Sequence, residues 1–222
     1  MEEPQENQQP SSSNEEQTPK ASSKLETFFD FCGHNVCITR EIKSTLGISA
    51  IIWEAGKVLC RYFENEQIDF SGKKVIELGA GTGLVGILAI LLGGDVTLTD
   101  QPFVLNQLEY NVSKNITSDM MPRAKVSALM WGKDHEQFPT DYDYILGSDI
   151  IYRPSEFHFL IATLQHLSNQ NTIIYFCSKM RVEMGTVDFY EKVLPEYFDS
   201  EIVHTVPKYQ INLYKITKKY PV

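Results

Sequence analysis

The sequence predicts an α/β fold: an open, mostly parallel seven-stranded sheet with an antiparallel last strand, preceded by an N-terminal β-hairpin. Three observations predict it. Lys73 to Thr82 is a short apolar run that stops at glycines, and after Gly83 it restarts as the longer run Leu84 to Leu92, the pattern of a strand, a glycine turn and a helix. Strand-like runs then alternate with helical spacings as far as Cys177. Two further strand-like runs close the chain with only a turn between them, as an antiparallel pair requires. In such a sheet ligands bind at the glycine turn, where a backbone without Cβ atoms comes close and the following helix offers free N–H groups.

The elements follow in order. Residues 1–25 are rich in Glu, Gln, Ser and Pro and nearly free of large apolar side chains, so they read as a disordered tail before a domain over 26–222. Phe28, Phe29 and Phe31, the turn Gly33-His34-Asn35, then Val36 to Thr39 read as the hairpin. Val58, Leu59, Tyr62 and Phe63 recur at helical spacing after Trp53. Beyond the glycine turn, Gly93-Gly94 ends the first crossover helix and Asp95 to Asp100 makes the next strand. Pro102 opens a helix with Leu105, Leu108 and Val112 inward. Strands follow at Lys125 to Met130, Tyr142 to Ser148 and Thr172 to Cys177, with a helix from Pro154 to Leu167 and a last one over Thr186 to Leu194. Glu201 to Val206 and Gln210 to Thr217 complete the sheet.

Composition narrows the function classes. The 222 residues, 42% hydrophobic, suit one core plus a tail. A net charge of -9 argues against a nucleic-acid partner, which needs a basic face. The longest apolar run, Leu84 to Leu92, is far short of the ~20 residues that span a bilayer, so no membrane anchor is expected. Cys32, Cys37, Cys60 and Cys177 form no C-x-x-C pair and the chain opens on polar residues, which places it in a reducing, intracellular compartment. The sequons at Asn111 and Asn115 are then chance matches. Five scattered histidines give no metal site, and no nucleophile elbow is present.

Several residues carry the candidate chemistry. Gly81 to Gly86 formally matches G-x-G-x-x-G, but Glu77, two residues before Gly79, would repel a pyrophosphate, so a cationic or zwitterionic ligand bearing a ribose fits better than a dinucleotide. Asp100, 23 residues beyond Glu77 at a strand end, is placed to accept from two ribose hydroxyls. Trp53 is either a core aromatic or a lid over the ligand, and Trp131 either packs or flanks an adenine ring. Asp149 and Tyr152 put a carboxylate and a phenol on the same crevice, where an unpartnered buried carboxylate would be costly.

Glu77 to Gly83 resembles the first motif of the Rossmann-like, class I S-adenosylmethionine-dependent methyltransferases. With Trp53, Asp100, Trp131-Gly132 and the D-x-x-Y run Asp149 to Tyr152, the chain from about Phe29 to Thr217 resembles the seven-strand protein-lysine methyltransferases, which modify chaperones, an AAA ATPase and a translation factor. Phe31 to His34, Ile68 to Lys74, Gly93 to Thr97, Trp131 to His135 and Ser178 to Arg181 point to the branch acting on elongation factor 1-alpha. The resemblance implies that 26–222 is a methyltransferase domain and that Trp53, Glu77, Gly79, Ala80, Gly81, Asp100, Trp131 and Ser148 hold S-adenosylmethionine. It implies that Asp149 docks the lysine of a protein substrate and that Tyr152 shapes the pocket. A cytoplasmic location with a centrosomal pool is implied by resemblance alone. Ser148 stands where relatives often have alanine, and Glu54 where they have aspartate. Two rival readings are a nucleic-acid amino-methyltransferase, disfavoured because Ile150 and Ile151 occupy its proline positions, and a non-catalytic binding module, which would not need a complete set of cofactor positions.

Overall fold

A computed structural model describes residues 24–41 and 46–219. The polar tail expected over 1–25 lies outside the described residues up to position 23, and Lys24 and Leu25 already belong to the first strand. Strands β1 (Lys24–Phe31) and β2 (His34–Glu41) form the antiparallel hairpin as a two-stranded sheet of its own. The main sheet contains β3 (Lys74–Leu78), β4 (Asp95–Asp100), β5 (Ala124–Ala128), β6 (Tyr144–Ser148), β7 (Ile173–Lys179), β8 (Phe198–Val206) and β9 (Ile211–Lys218). Its order is β5-β4-β3-β6-β7-β9-β8, parallel from β5 to β7, with β9 antiparallel to both neighbours. The chain runs outward from β3 to β5 and then returns to the other side of β3 as β6. The crevice between the carboxyl ends of β3 and β6 is therefore the switch point at which open sheets bind ligands.

Alternation along the strands feeds two apolar layers. Val75, Val96, Leu98, Leu146 and Tyr175 pack with α1 (Glu54–Asn65), α2 (Leu84–Leu91) and α3 (Leu105–Asn115), and Phe31, Val36 and Ile38 of the hairpin join that layer. Ile76, Leu78, Ile145, Ile174 and Phe176 pack with α4 (Phe157–Leu167) and with Phe189 and Leu194 on the other face. Each buried aliphatic or aromatic side chain contributes roughly 1.5–3 kcal/mol, and the two layers together hold the sheet whose carboxyl edge carries the crevice.

Three expectations shift. The hairpin turn falls at Cys32-Gly33 and not at Gly33-His34-Asn35, because His34 and Asn35 already pair with Phe31 and Asp30 in the ladder. The helix expected over Thr186 to Leu194 is irregular: α-helical at Thr186–Asp188, π-helical at Phe189–Val193 and 3-10 at Leu194–Glu196, with Pro195, which has no N–H to donate, inside the last turn. The strand expected to reach Met130 stops at Ala128, because the Met130 N–H is diverted to the Asp134 carboxylate, 2.8 Å away, and the chain turns through Gly132.

The hairpin is docked by side chains. Along one face of α3, Gln107, Asn111 and Asn115 recur at intervals of four and meet the outer edge of β2. Asn115 accepts from the Cys37 N–H (2.7 Å) and donates to the Cys37 carbonyl (2.8 Å). Asn111 accepts from the Thr39 N–H (3.0 Å), and Gln107 donates to the Thr39 carbonyl (2.8 Å). Asn111 also donates to the Thr82 carbonyl at 2.9 Å, which ties this assembly to the glycine turn. Asn111 is fully buried, in keeping with its sequon being a chance match.

Candidate active site

A crevice of about 440 Å³ opens at the carboxyl edge of the sheet, and all ten residues singled out from the sequence line it: Trp53, Glu77, Gly79, Ala80, Gly81, Asp100, Trp131, Ser148, Asp149 and Tyr152. β3 delivers the glycine turn. Gly79 has φ +62°, and a Cβ there would lie 2.8 Å from the Ile150 side chain, so the position needs glycine both for its conformation and for space. The turn is held from its neighbour strand: the Ala80 N–H donates to the Thr99 carbonyl (2.9 Å), and Thr99 Oγ1 donates to the Glu77 carbonyl (2.6 Å). The Asp100 carboxylate accepts from the N–H groups of Gly81 and Gln101, both at 2.7 Å, which fixes its orientation at the end of β4.

Glu77 lies at the floor. One oxygen accepts from the Gly86 N–H at 2.9 Å, an approach that only glycine in the first turns of α2 permits, since a Cβ there would collide with that oxygen. Burial pushes its carboxyl up to about 8; the Gly86 hydrogen bond works against this, and the nearby Asp100 adds to it. Burial raises the Asp100 carboxyl as well, opposed by its two backbone donors. A buried acid, Glu77, and a half-buried one, Asp100, at one end of a crevice favour a ligand that brings positive charge and hydroxyl donors, and the space left by Gly79 lets its backbone approach closely. These residues fit S-adenosylmethionine, with its sulfonium, its ammonium and its ribose.

Two aromatic side chains border this end. The edge of Trp131 abuts the turn, with Cζ2 3.7 Å from where a Gly79 Cβ would stand. Trp53 is the residue before α1 and donates its indole N–H to the Ile48 carbonyl (3.2 Å). The segment Gly47–Ala50 thereby lies over the glycines, with the Ser49 carbonyl oxygen 3.2 Å from the position of a Gly81 Cβ. Ser148 sits at the end of β6 beneath Gly56 of α1.

The other end of the crevice is built from charges. Asp149 is left-handed at φ +56°, a conformation that costs a non-glycine residue about 1–3 kcal/mol and persists only where the surroundings dictate it. They do so here: its N–H donates to the Cys177 carbonyl (2.8 Å), and its Oδ1 accepts from the Lys179 N–H (3.0 Å). Arg181 closes a bidentate pair on it, Nη1 to Oδ1 at 2.7 Å and Nη2 to Oδ2 at 2.9 Å, with side-chain exposures of 14% and 4%. The Arg181 guanidinium carbon also lies 5.5 Å from the centre of the Trp53 ring. Burial keeps the Tyr152 phenol protonated above its ordinary range, partly offset by Arg153, so it can donate or accept at neutral pH.

Sequence reasoning singled out Asp149 and not its partner. Ser178 to Arg181 stood out only as a segment of the resemblance, yet an arginine just past a strand's carboxyl end faces this crevice by topology. Among the described residues no group of His, Cys, Asp or Glu could hold a metal, and no helix is long and apolar enough to cross a membrane.

A glycine turn after β3, an acid at the end of β4 and a polar loop after β6, all on the switch point, are the arrangement of the class I S-adenosylmethionine-dependent methyltransferases. The chain belongs to the lysine methyltransferase family, whose model matches residues 33–195. It is 50% identical to the EEF1A lysine methyltransferase 3 of Xenopus tropicalis over 87% of this chain and 85% of that one. It is 38% identical to the protein N-lysine methyltransferase METTL21A of Mus musculus, with 86% and 87% covered. A solved rRNA methyltransferase of T. thermophilus, RsmC in complex with AdoMet and guanosine, shares the fold at TM-score 0.65 and 14% identity; 91% of this chain aligns with 52% of it, so the chain spans about half of that protein. The protein is thus an S-adenosylmethionine-dependent protein-lysine methyltransferase.

Proposed function

We propose that the protein methylates a lysine side chain of translation elongation factor 1-alpha. The observation that carries this reading is the crevice itself, with the glycine turn at one end and Asp149 and Tyr152 at the other, in a chain half identical to a relative named for that substrate. Trp53, Glu77, Gly79, Ala80, Gly81, Asp100, Trp131 and Ser148 would hold S-adenosylmethionine, which supplies an activated methyl and its own leaving group. Asp100 would take the ribose hydroxyls, and the ligand's positive charge would draw the Glu77 carboxyl, which burial holds protonated in the free protein, toward its charged form.

The task left to the chain is to align a lysine amine with that methyl and to receive it uncharged. A free lysine, with a pKa of about 10.4, is mostly protonated at neutral pH. Partial burial beside Tyr152 and a cation at the cofactor end both favour the neutral amine. Tyr152 can accept a hydrogen bond from it, and Asp149 orients the acceptor end. The four cysteines are free thiols, which supports a reducing, cytoplasmic setting.

The test offers labelled S-adenosylmethionine and the pure protein to elongation factor 1-alpha, an Hsp70-type chaperone and an AAA ATPase separately, with Asp149→Ala as control. Label on the elongation factor alone, lost in the variant, is the expected result. Label on another of the three, or no label on the elongation factor despite cofactor binding, would overturn this substrate.

A further inference from the structure

The Asp149 carboxylate is spoken for. Three donors converge on its two oxygens, and the pair it makes with Arg181 is bidentate and nearly sealed from water. Removing one partner of such a pair typically costs several kcal/mol, because the other charge is left buried alone, so an incoming ammonium is poorly placed to displace the guanidinium. Arg181 is also braced on its far side by the Trp53 ring, and Asp149 is held by strained backbone.

We propose that Arg181 is a positioning residue of the methyl-transfer site: it locks Asp149 into a charge-compensated pair, so that cofactor and lysine meet an oriented acceptor wall and no free anion. The inference rests on the methyltransferase reading above. Its chemical logic is that a free carboxylate at this spot would hold the lysine as its ammonium, which binds well and does not react. With the charge compensated, the amine loses its proton at lower pH.

The groups facing the pair do not duplicate this function. Cys177 of β7 and Tyr190 of the irregular helix stay neutral, since burial pushes both well up. Glu183, on the loop beyond Arg181, strengthens the guanidinium's charge state. Across the crevice lie Lys133, Tyr152, Arg153 and Glu156, while Glu77 and Asp100 belong to the cofactor end. Among the described residues Arg181 alone has its guanidinium on the carboxylate.

The experiment compares wild type with Arg181→Gln, Asp149→Asn and the double variant by calorimetric affinity for S-adenosylmethionine and for S-adenosylhomocysteine, a net-neutral zwitterion that lacks the sulfonium charge. This needs no protein substrate. Freeing Asp149 in Arg181→Gln should raise the preference for the cationic ligand several-fold, Asp149→Asn should lower it, and the double variant should return near wild type. On the protein that takes label, the acidic limb of the kcat profile should move up by about one pH unit in Arg181→Gln and return in the double variant, with Arg181→Lys between the two. If Arg181→Gln does not fold, Arg181→Lys and the double variant carry the comparison. Equal changes for both ligands, or a kcat loss uniform in pH, would reduce Arg181 to a packing role and overturn the proposal. Failure of wild type to bind either ligand would overturn the methyltransferase reading, and this inference with it.

Discussion

The two ends of the crevice are made in different ways. The glycine-turn end is mostly backbone: carbonyl and N–H groups of residues 77 to 101 satisfy one another, and the side chains that matter, Glu77 and Asp100, are oriented by backbone donors within one βαβ unit. The acceptor end is a side-chain assembly in which Asp149 and Arg181, 32 residues apart, neutralise each other across two strand ends. A site of the first kind tolerates almost no change of shape. A site of the second kind is sensitive to charge, and the same substitution chemistry should therefore have different consequences at the two ends.

The strongest way to break the backbone-built end is Gly79→Ala. The new Cβ meets Ile150 at a left-handed position, so cofactor affinity measured by calorimetry should fall by about 100-fold or more, with a lowered melting temperature. The contrast sharpens with matched amide substitutions. Asp100→Asn should weaken S-adenosylmethionine and S-adenosylhomocysteine alike, by about ten-fold or more, because it loses one acceptor shared between backbone and ribose. Asp149→Asn should leave S-adenosylhomocysteine affinity within about three-fold while kcat falls about ten-fold or more.

A smaller effect tests the floor. Glu77 has its folded pKa raised to about 8 from 4.5, so the folded protein binds the extra proton and stability falls as pH rises between those values. Glu77→Gln removes that loss. Without ligand its melting temperature should match wild type near pH 4.5 and exceed it by about 5 °C or more at pH 8, while its preference for the cationic ligand declines. Least of all, Tyr152→Phe should lower kcat by a few-fold with cofactor affinity unchanged.

The same contrast governs what the sequence disclosed. The backbone-built end was legible because its parts lie close together: an acid before the glycines and another about twenty residues on form a local pattern that any open sheet must place on one edge. The strands and the reversed β9 followed from alternation and turn spacing. Arg181 was not legible, since a charge pair 32 residues apart leaves no period to read. The sequence marked Asn111 and Asn115 of α3 only as chance sequons, and the hairpin's docking shows why Gln107, Asn111 and Asn115 share a face. The irregular turn at Phe189–Val193 was hidden for a related reason: Phe189 and Leu194 are fixed by packing against the sheet, and the helix accommodates them by widening.

That row of amides has a consequence for ageing. Asn115 accepts from and donates to the same residue of β2, Cys37, and Asn111 receives from one element while giving to another, so each needs both halves of its amide. Spontaneous deamidation would leave an acceptor-only carboxylate facing the Cys37 or Thr82 carbonyl, with one oxygen repelled where a hydrogen once bridged. A single nitrogen lost from Asn111, chemically minute and far from the reacting atoms, would strain the hairpin's seam and slacken the glycine turn along with it.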